Sequence, residues 1–250
     1  EIIFIKTKVY PLHPDVEDHK HDYWSAYILK SKQSTKIDIE IEYELKNTDL
    51  NNIECLWIEI EWVNYGPFGY YSRYDGFVIP NLVNKFKNKS LSRNYIEPIK
   101  THILGSLDDP ITVLKSYMPE NFTPSDILTI GESPLAIMQG KYIDYRNIII
   151  SPLSNILCKV FHPTSSLATA CGMQILINIS GPTRVLISWL IGSICKLFGV
   201  RGMFYRLAGE QARLIDDITG TTPPYDKNIV LGPIYCRDFC MDASKKLGIN

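Results

Sequence analysis

The sequence lacks several features that would each identify a function class. Its formal net charge is −1, so no overall field attracts nucleic acid or an anionic membrane, and any basic site must be local. It contains no glycine-rich P-loop with GKS or GKT, which excludes Walker-type nucleotide binding. It also has no GxSxG nucleophile elbow, and no uninterrupted apolar run reaches the roughly 20 residues of a transmembrane helix.

Cysteine is sparse as well. Six cysteines spread over 250 residues do not resemble the dense spacing of a disulfide scaffold. We therefore expect free thiols and a reducing compartment. The chain begins at Glu1 without a methionine, and whether a targeting segment precedes this residue stays open.

The composition and the first half of the chain predict a folded, strand-rich region. Hydrophobic residues make up 45% of the chain, which is enough for a sizeable core. Residues 36–45 alternate between apolar and acidic side chains, residues 53–63 repeat this alternation, and residues 1–9 are strand-like. We predict that the strands at 36–45 and 53–63 are antiparallel neighbours, each with one buried and one solvated face.

A short helix separates this region from the second half. Asp109 before Pro110 is typical of a helix start, and Pro119 and Pro124 predict its end. The predicted fold class is α+β, with an antiparallel β-rich half (1–120) packed on a mixed α/β half (121–250). Whether these halves form one continuous domain stays open.

The segment SDILTIGESPLAIMQG predicts a strand, a turn and a helix in succession. Residues 127–130 are apolar and β-branched, which favours a buried strand. Gly131 then allows a tight turn, Ser133 suits a helix N-cap, and Gly140 predicts the helix end. Glu132 lies at this junction, either as a ligand or as a solvated carboxylate of an ordinary connection.

The most apolar stretch, residues 172–200, has two interpretations. It is divided by Gly181 and Pro182, so it is too broken for an ordinary transmembrane helix and is typical of a buried helix pair. Alternatively, residues 185–198 lie in a membrane interface or against a partner, because no acidic residue interrupts 183–209. The candidate contact residues are Arg184, Val185, Trp189, Lys196 and Phe198.

The segment GEQARLIDDITGTTPPY combines carboxylates, hydroxyls and a cation near a turn. Hard cations such as Mg²⁺ and Mn²⁺ prefer oxygen ligands, so this segment is a candidate metal and phosphate site. A charge-paired surface helix followed by a polar loop explains the same pattern.

Four quoted segments resemble one enzyme family. SDILTIGESPLAIMQGKYI is similar to the strand–helix segment of the γ-glutamyl ligases that elongate the deazaflavin coenzyme F-420. PTSSLATACGMQ, GMFYRLAGEQARLIDDITGT and PPYDKNIVLGP resemble a ligase-like branch from cyanobacterial and plastid lineages. The resemblance covers residues 120–235, and the β-rich first half does not resemble the usual start of the family.

The resemblance implies a reaction that uses GTP and a divalent metal, Mg²⁺ or Mn²⁺, to form an acyl phosphate on a substrate carboxylate. The amine of glutamate then attacks this acyl phosphate. The resemblance also implies a plastid or cytoplasmic location, and the net charge of −1 predicts no nucleic-acid partner. The implied metal ligands are Glu132, Glu210, Asp216 and Asp217. The implied phosphate-binding residues are Lys141, Arg206, Arg213, Thr219 and Thr221.

Three functions follow as hypotheses. The first is a nucleotide- and metal-dependent amide ligase acting on a small carboxylate. The second is a non-catalytic ligase-like accessory or assembly subunit of a membrane complex, photosynthetic or respiratory. The third is a generic α+β domain that binds an anionic small molecule.

Overall fold

The chain divides into two compact units, residues 1–53 and residues 54–250. The computed structural model describes residues 2–11, 37–45, 53–66, 69–81, 98–119, 122–123, 126–161, 165–216 and 224–248. Antiparallel strands occupy the first half of the chain and helices dominate the second, which confirms the α+β class. The predicted division at residue 120 stays a prediction.

The described residues of the first unit, 2–11, 37–45 and 53, include one antiparallel strand pair. Strand β1 (Ile2–Pro11) pairs with β2 (Ile37–Leu45), with Thr7 opposite Ile41. Both strands confirm the predictions made from the strand-like start and from the alternating run. Side chains alternate between the two faces of a strand, but Ile39, on the predicted buried face of β2, is 40% exposed.

The second unit begins with a hairpin. Strand β3 (Cys55–Gly66) pairs along its whole length with β4 (Gly69–Pro80), ending at Gly66 opposite Gly69. The predicted pairing of the 36–45 strand with the 53–63 strand is therefore wrong, although both strands exist. A short connection favours pairing with the next strand along the chain, and the tyrosine-rich segment after β3 supplies that strand.

The rest of the second unit is mostly helical, with one small antiparallel strand pair. The helices are α1 (Pro110–Tyr117), α2 (Glu132–Met138), α3 (Pro152–Leu157), α4 (Ala170–Ser180), α5 (Pro182–Leu197), α6 (Met203–Ala208), α7 (Gln211–Leu214) and α8 (Cys236–Leu247). Strands β5 (Tyr142–Asp144) and β6 (Asn228–Val230) pair with each other.

Helix α1 begins as its sequence predicts. The Asp109 carboxylate accepts a hydrogen bond from the Thr112 backbone N–H at 2.8 Å, and Pro110 occupies the first turn. The cap satisfies a helical N–H that has no partner within the helix. The hydrogen bonds from Thr112, its hydroxyl first, lower the pKa of Asp109.

The start of α2 differs from its prediction. Residues 127–130 form no strand, and the helix begins at Glu132, so Ser133 lies inside the first turn rather than at the N-cap. Gly131 is itself the N-cap residue and has an ordinary φ of −67°, so its backbone conformation does not require glycine. The Ser133 hydroxyl donates instead to the Asp216 carboxylate at 2.5 Å, a contact between segments 83 positions apart.

The end of α2 is as predicted. Gly140 has a φ of +66°, a left-handed conformation that glycine adopts without a Cβ penalty. The Gly140 N–H donates to the Ile137 carbonyl at 2.9 Å, and the Lys141 N–H donates to the Ala136 carbonyl at 2.8 Å. These two bonds form a Schellman motif, which satisfies the last carbonyls of the helix.

Helices α4 and α5 form the predicted pair joined at Gly181. The main core is built on α4, where Met173, Ile175 and Leu176 are at most 2% exposed. No single helix within the described residues has the length and apolar character to cross a membrane. Helices α4 and α5 have this length and apolar character only when they are counted together, and a bend of 113° lies between them.

Arg146 joins the β3–β4 hairpin to the segment after β5. Its Nε and Nη2 donate to the two carboxylate oxygens of Asp144 at 2.9 and 2.7 Å. Its Nη2 also donates to Glu59 Oε1 at 2.6 Å, and the guanidinium lies 3.8 Å from the centre of the Tyr74 ring. These contacts hold the hairpin against the helical part of the same unit.

Candidate functional site

A cavity of about 460 Å³ lies where the turn before α4 meets helices α6 and α7. Two of the segments that carry the ligase resemblance meet here: the first three lining residues come from PTSSLATACGMQ and the others from GMFYRLAGEQARLIDDITGT. We call this cavity the Arg213 pocket. Its lining residues are Ser165, Ser166, Leu167, Gly202, Tyr205, Ala212, Arg213 and Ile215.

Local turn chemistry positions the serines of the pocket. The Ser165 hydroxyl lies 3.2 Å from the Tyr205 hydroxyl and accepts the Leu167 backbone N–H at 3.3 Å. Ser166 packs against the first turn of α4, where a Cβ on Gly172 would lie only 2.4 Å from the Ser166 carbonyl oxygen. Glycine is therefore required at 172 for the pocket turn to approach the helix this closely.

The floor of the pocket is apolar and rigid. Leu167, Ala212 and Ile215 are at most 4% exposed and belong to the main core. The Tyr205 ring packs edge-on against Phe204, with ring centroids 5.4 Å apart. A tyrosine held in this way presents its hydroxyl at a fixed place while its ring stays in apolar surroundings.

Arg213 supplies the positive charge. It lies exposed in the last turn of α7, and it takes part in none of the ion pairs found among the described residues. A guanidinium presents planar donors that match the two oxygens of a carboxylate or phosphate. Together with the hydroxyls of Ser165, Ser166 and Tyr205, it makes the pocket suited to an anionic group.

Lys141 and Arg206, the two other predicted phosphate-binding residues that the structure describes, do not line this pocket. Lys141 follows the end of α2, where its carbonyl accepts the Leu231 N–H at 2.8 Å. Arg206 is exposed in the last turn of α6. Thr219 and Thr221 lie outside the described residues.

The predicted metal ligands are brought together only in part. Ser133, which follows Glu132, bonds to Asp216, so the start of α2 meets the segment after α7. Glu210 is exposed just before α7, and Asp217 lies outside the described residues. Within the described part of the chain, no group of three or more carboxylates, histidines or cysteines is placed to hold a metal. The described donors therefore do not form a metal site with three protein ligands, and the predicted metal site stays a prediction.

The predicted contact residues of α5 separate into two sets. Val185 is fully buried in the main core, so its assignment to a contact surface is wrong. Trp189 is partly buried and packs against the same core. Arg184 is exposed and its Nε donates to the Leu207 carbonyl at 2.8 Å, while Lys196 and Phe198 are exposed at the end of the helix.

Ser165, Ser166 and Tyr205 are the site residues that the sequence does not single out as ligand-binding. Ser165 and Ser166 lie in a visible small-residue stretch, which suggests a close approach but no particular ligand. Tyr205 gives no local signal, because its role depends on the Ser165 contact across 40 positions.

Comparison with known proteins gives one match. The family model of the F420-0:gamma-glutamyl ligase N-terminal Ig-like domain matches residues 1–83. No curated protein and no solved structure matches the chain. The match lies in the strand-rich first half, so the expectation that this half departs from the family is wrong. The cyanobacterial and plastid branch stays a prediction, and the relationship that the match supports is to the F420-0:gamma-glutamyl ligases.

Proposed function

We propose that this ligase-like protein binds a nucleotide phosphate or a substrate carboxylate in the Arg213 pocket and joins a small carboxylate to an amine. The observation that carries the proposal is the convergence of two resemblance segments on one pocket whose lining includes an arginine, two serines and a tyrosine. The family match at the other end of the chain supports the ligase relationship independently.

The reaction class determines what the pocket has to do. A nucleotide transfers its terminal phosphoryl group to the substrate carboxylate, which leaves the nucleoside diphosphate and an acyl phosphate. The amine then attacks the acyl carbon, loses a proton and expels inorganic phosphate. Arg213 stabilises anionic oxygens on the phosphoryl or carboxyl group through charge-assisted hydrogen bonds.

The divalent metal of such a reaction stays a prediction. Glu132, Glu210 and Asp216 do not form a metal-binding group, and Asp217 lies outside the described residues. We therefore assign no step to a metal. The thermal shift caused by GTP, measured with and without Mn²⁺, tests separately whether nucleotide binding requires the metal.

The decisive variant is Arg213→Gln, with Arg237→Gln as its matched control. Arg237 is an exposed arginine on α8 and does not line the pocket. GTP is expected to raise the melting temperature of the wild type and of the control. Loss of one charge-assisted contact of about 1.5–3 kcal/mol weakens binding roughly 10- to 100-fold in Arg213→Gln.

Three results separate the hypotheses. Phosphate release that requires both a carboxylate substrate and glutamate supports the ligase. Binding of inorganic phosphate or a carboxylate through Arg213, without turnover, supports the generic anion-binding domain. Equal affinity of the wild type and Arg213→Gln for GTP contradicts the pocket assignment.

A second candidate is the non-catalytic accessory subunit of a membrane complex. The observation that favours it is an exposed apolar face on α5, where Ile187 is 55% and Ile194 is 55% exposed. A protein that keeps the fold, binds no nucleotide and requires this face for its association supports that candidate.

A further inference from the structure

Helix α5 presents a continuous apolar row to its surroundings. The row, called here the α5 outer face, consists of Ile187, Leu190, Ile191, Ile194 and Phe198. Its members follow one another at helical spacings, so they share one side of the helix. Their exposed fractions run from 40% to 81%. Single exposed apolar residues are ordinary, but a contiguous row marks an interaction surface.

The inner face of the same helix is already packed against the core. Val185 is fully buried and Trp189 packs against the main core. Ser188 is 2% exposed and its hydroxyl donates to the Arg184 carbonyl at 2.7 Å. A Cβ on Gly192 would lie 3.0 Å from Phe204, so α6 packs closely here. Helix α5 is therefore apolar on both faces, whereas an ordinary surface helix keeps its outer face polar.

The charges of the segment that carries this face favour one occupant. Residues 183–209 contain four cations, Arg184, Lys196, Arg201 and Arg206, and no acidic residue. A second copy seated on the same face by two-fold symmetry would bring cations against cations, which is unfavourable. An anionic lipid surface offers the complementary charge together with an apolar layer beneath it.

We propose that the α5 outer face inserts into the headgroup region of an anionic lipid bilayer, with the helix parallel to the membrane plane. A helix of 16 residues is about 24 Å long, shorter than the roughly 30 Å hydrocarbon core. The 113° bend to α4 prevents the two helices from acting as one straight span. Helix α5 is thus suited to lying on the membrane rather than crossing it.

The test is flotation of the purified full chain with vesicles, without nucleotide. One vesicle is phosphatidylcholine alone, and the other is phosphatidylcholine with an equal amount of phosphatidylglycerol. The wild type is expected to float with the anionic vesicles and far less with the neutral ones. The Ile187→Gln/Ile191→Gln variant is expected to lose binding about tenfold or more, because two partly exposed isoleucines no longer transfer into the apolar layer.

The matched control is Ile127→Gln/Ile149→Gln. These isoleucines are 83% and 81% exposed and belong to segments outside α5, so the control makes the same chemical change elsewhere in the chain. It is expected to bind like the wild type. If circular dichroism shows that the α5 variant is unfolded, Leu197→Gln/Phe198→Gln replaces it, since these residues are 86% and 81% exposed.

A separate variant tests the contribution of the cations to membrane binding. Lys196→Gln/Arg201→Gln is expected to weaken binding to anionic vesicles about tenfold or more, and added salt is expected to weaken the wild type similarly. Equal binding of the wild type to both vesicles, or to neither, overturns the proposal. So does a wild-type dimer in light scattering that Ile187→Gln/Ile191→Gln converts to a monomer, because the face would then serve self-association.

Discussion

Replacing Arg146 with methionine tests how the β3–β4 hairpin is held to the helical part of the second unit. Methionine keeps much of the apolar stem but removes the guanidinium. Three hydrogen bonds disappear, two to Asp144 and one to Glu59, together with the contact to the Tyr74 ring. The Asp144 side chain is 6% exposed, so its carboxylate is left buried without its ionic partner.

The expected loss in the free energy of unfolding is about 3 kcal/mol. Breaking a buried ion pair by removing one partner costs about 3–5 kcal/mol. The lower end applies because Asp144 keeps the hydrogen bond from the Arg146 backbone N–H at 2.9 Å. Glu59 is 32% exposed and adds little, because water solvates its carboxylate when the guanidinium is absent.

Urea unfolding of four proteins measures this loss as a double-mutant cycle: wild type, Arg146→Met, Asp144→Asn and the double variant. Leaving a buried neutral amide unpaired destabilises the fold less than leaving a buried carboxylate unpaired. The cycle is therefore expected to give a coupling energy above about 1 kcal/mol. Lys227→Met is the control, since Lys227 lies 3.6 Å from Glu59 but is 57% exposed. Its expected cost is about 0.5 kcal/mol or less.

The effect of Arg146 on Glu59 also predicts a pH dependence. The hydrogen bond from Arg146, ahead of the charge of that group, lowers the pKa of Glu59 below its ordinary value. A carboxyl with a lowered folded-state pKa adds stability above its unfolded pKa of about 4.3 and loses it as the pH falls through the folded pKa. The stability gap between wild type and Arg146→Met should therefore narrow from pH 6 towards pH 3. A cost below about 1 kcal/mol, or a coupling energy near zero, refutes the reasoning.

Two further changes test individual elements. Trp189→Asp is expected to unfold the second unit, because the indole packs against the main core and a carboxylate there has no partner; circular dichroism showing a folded variant contradicts this. Gly140→Ala is expected to cost about 1 kcal/mol in thermal or urea unfolding, because the φ of +66° is unfavourable for any residue with a Cβ. Space is not the cause, since the added Cβ would lie 3.9 Å from its nearest neighbour at Ser106, and an unchanged stability contradicts the backbone argument.

The sequence by itself determined the features that depend on a few neighbouring residues. The alternating run at 37–45 is a strand, Asp109 and Pro110 start a helix, Gly140 ends one, and Gly181 separates two. Each of these rests on a side-chain period, a cap or a backbone preference that acts within one or two turns.

The tertiary structure decided what depends on distant partners. Strand pairing is one example. Strand β2 pairs with β1, and β3 pairs with β4. The similar alternation of β2 and β3 would be equally compatible with pairing between these two strands. The apolar residues at 127–130 form no strand, because a strand needs a partner edge and not only a β-branched composition.

The candidate site shows the same division. Arg213 is visible in the sequence as a cation near carboxylates, but its hydroxyl neighbours come from a turn almost fifty residues earlier. The metal-binding role of Asp216 stays a prediction, and the structure adds that Asp216 accepts the Ser133 hydroxyl, a contact that no local pattern predicts. The type of a residue determines which chemistry its side chain can perform. Only the folded chain determines which groups lie within hydrogen-bonding distance, because that proximity is created by packing between segments far apart in sequence.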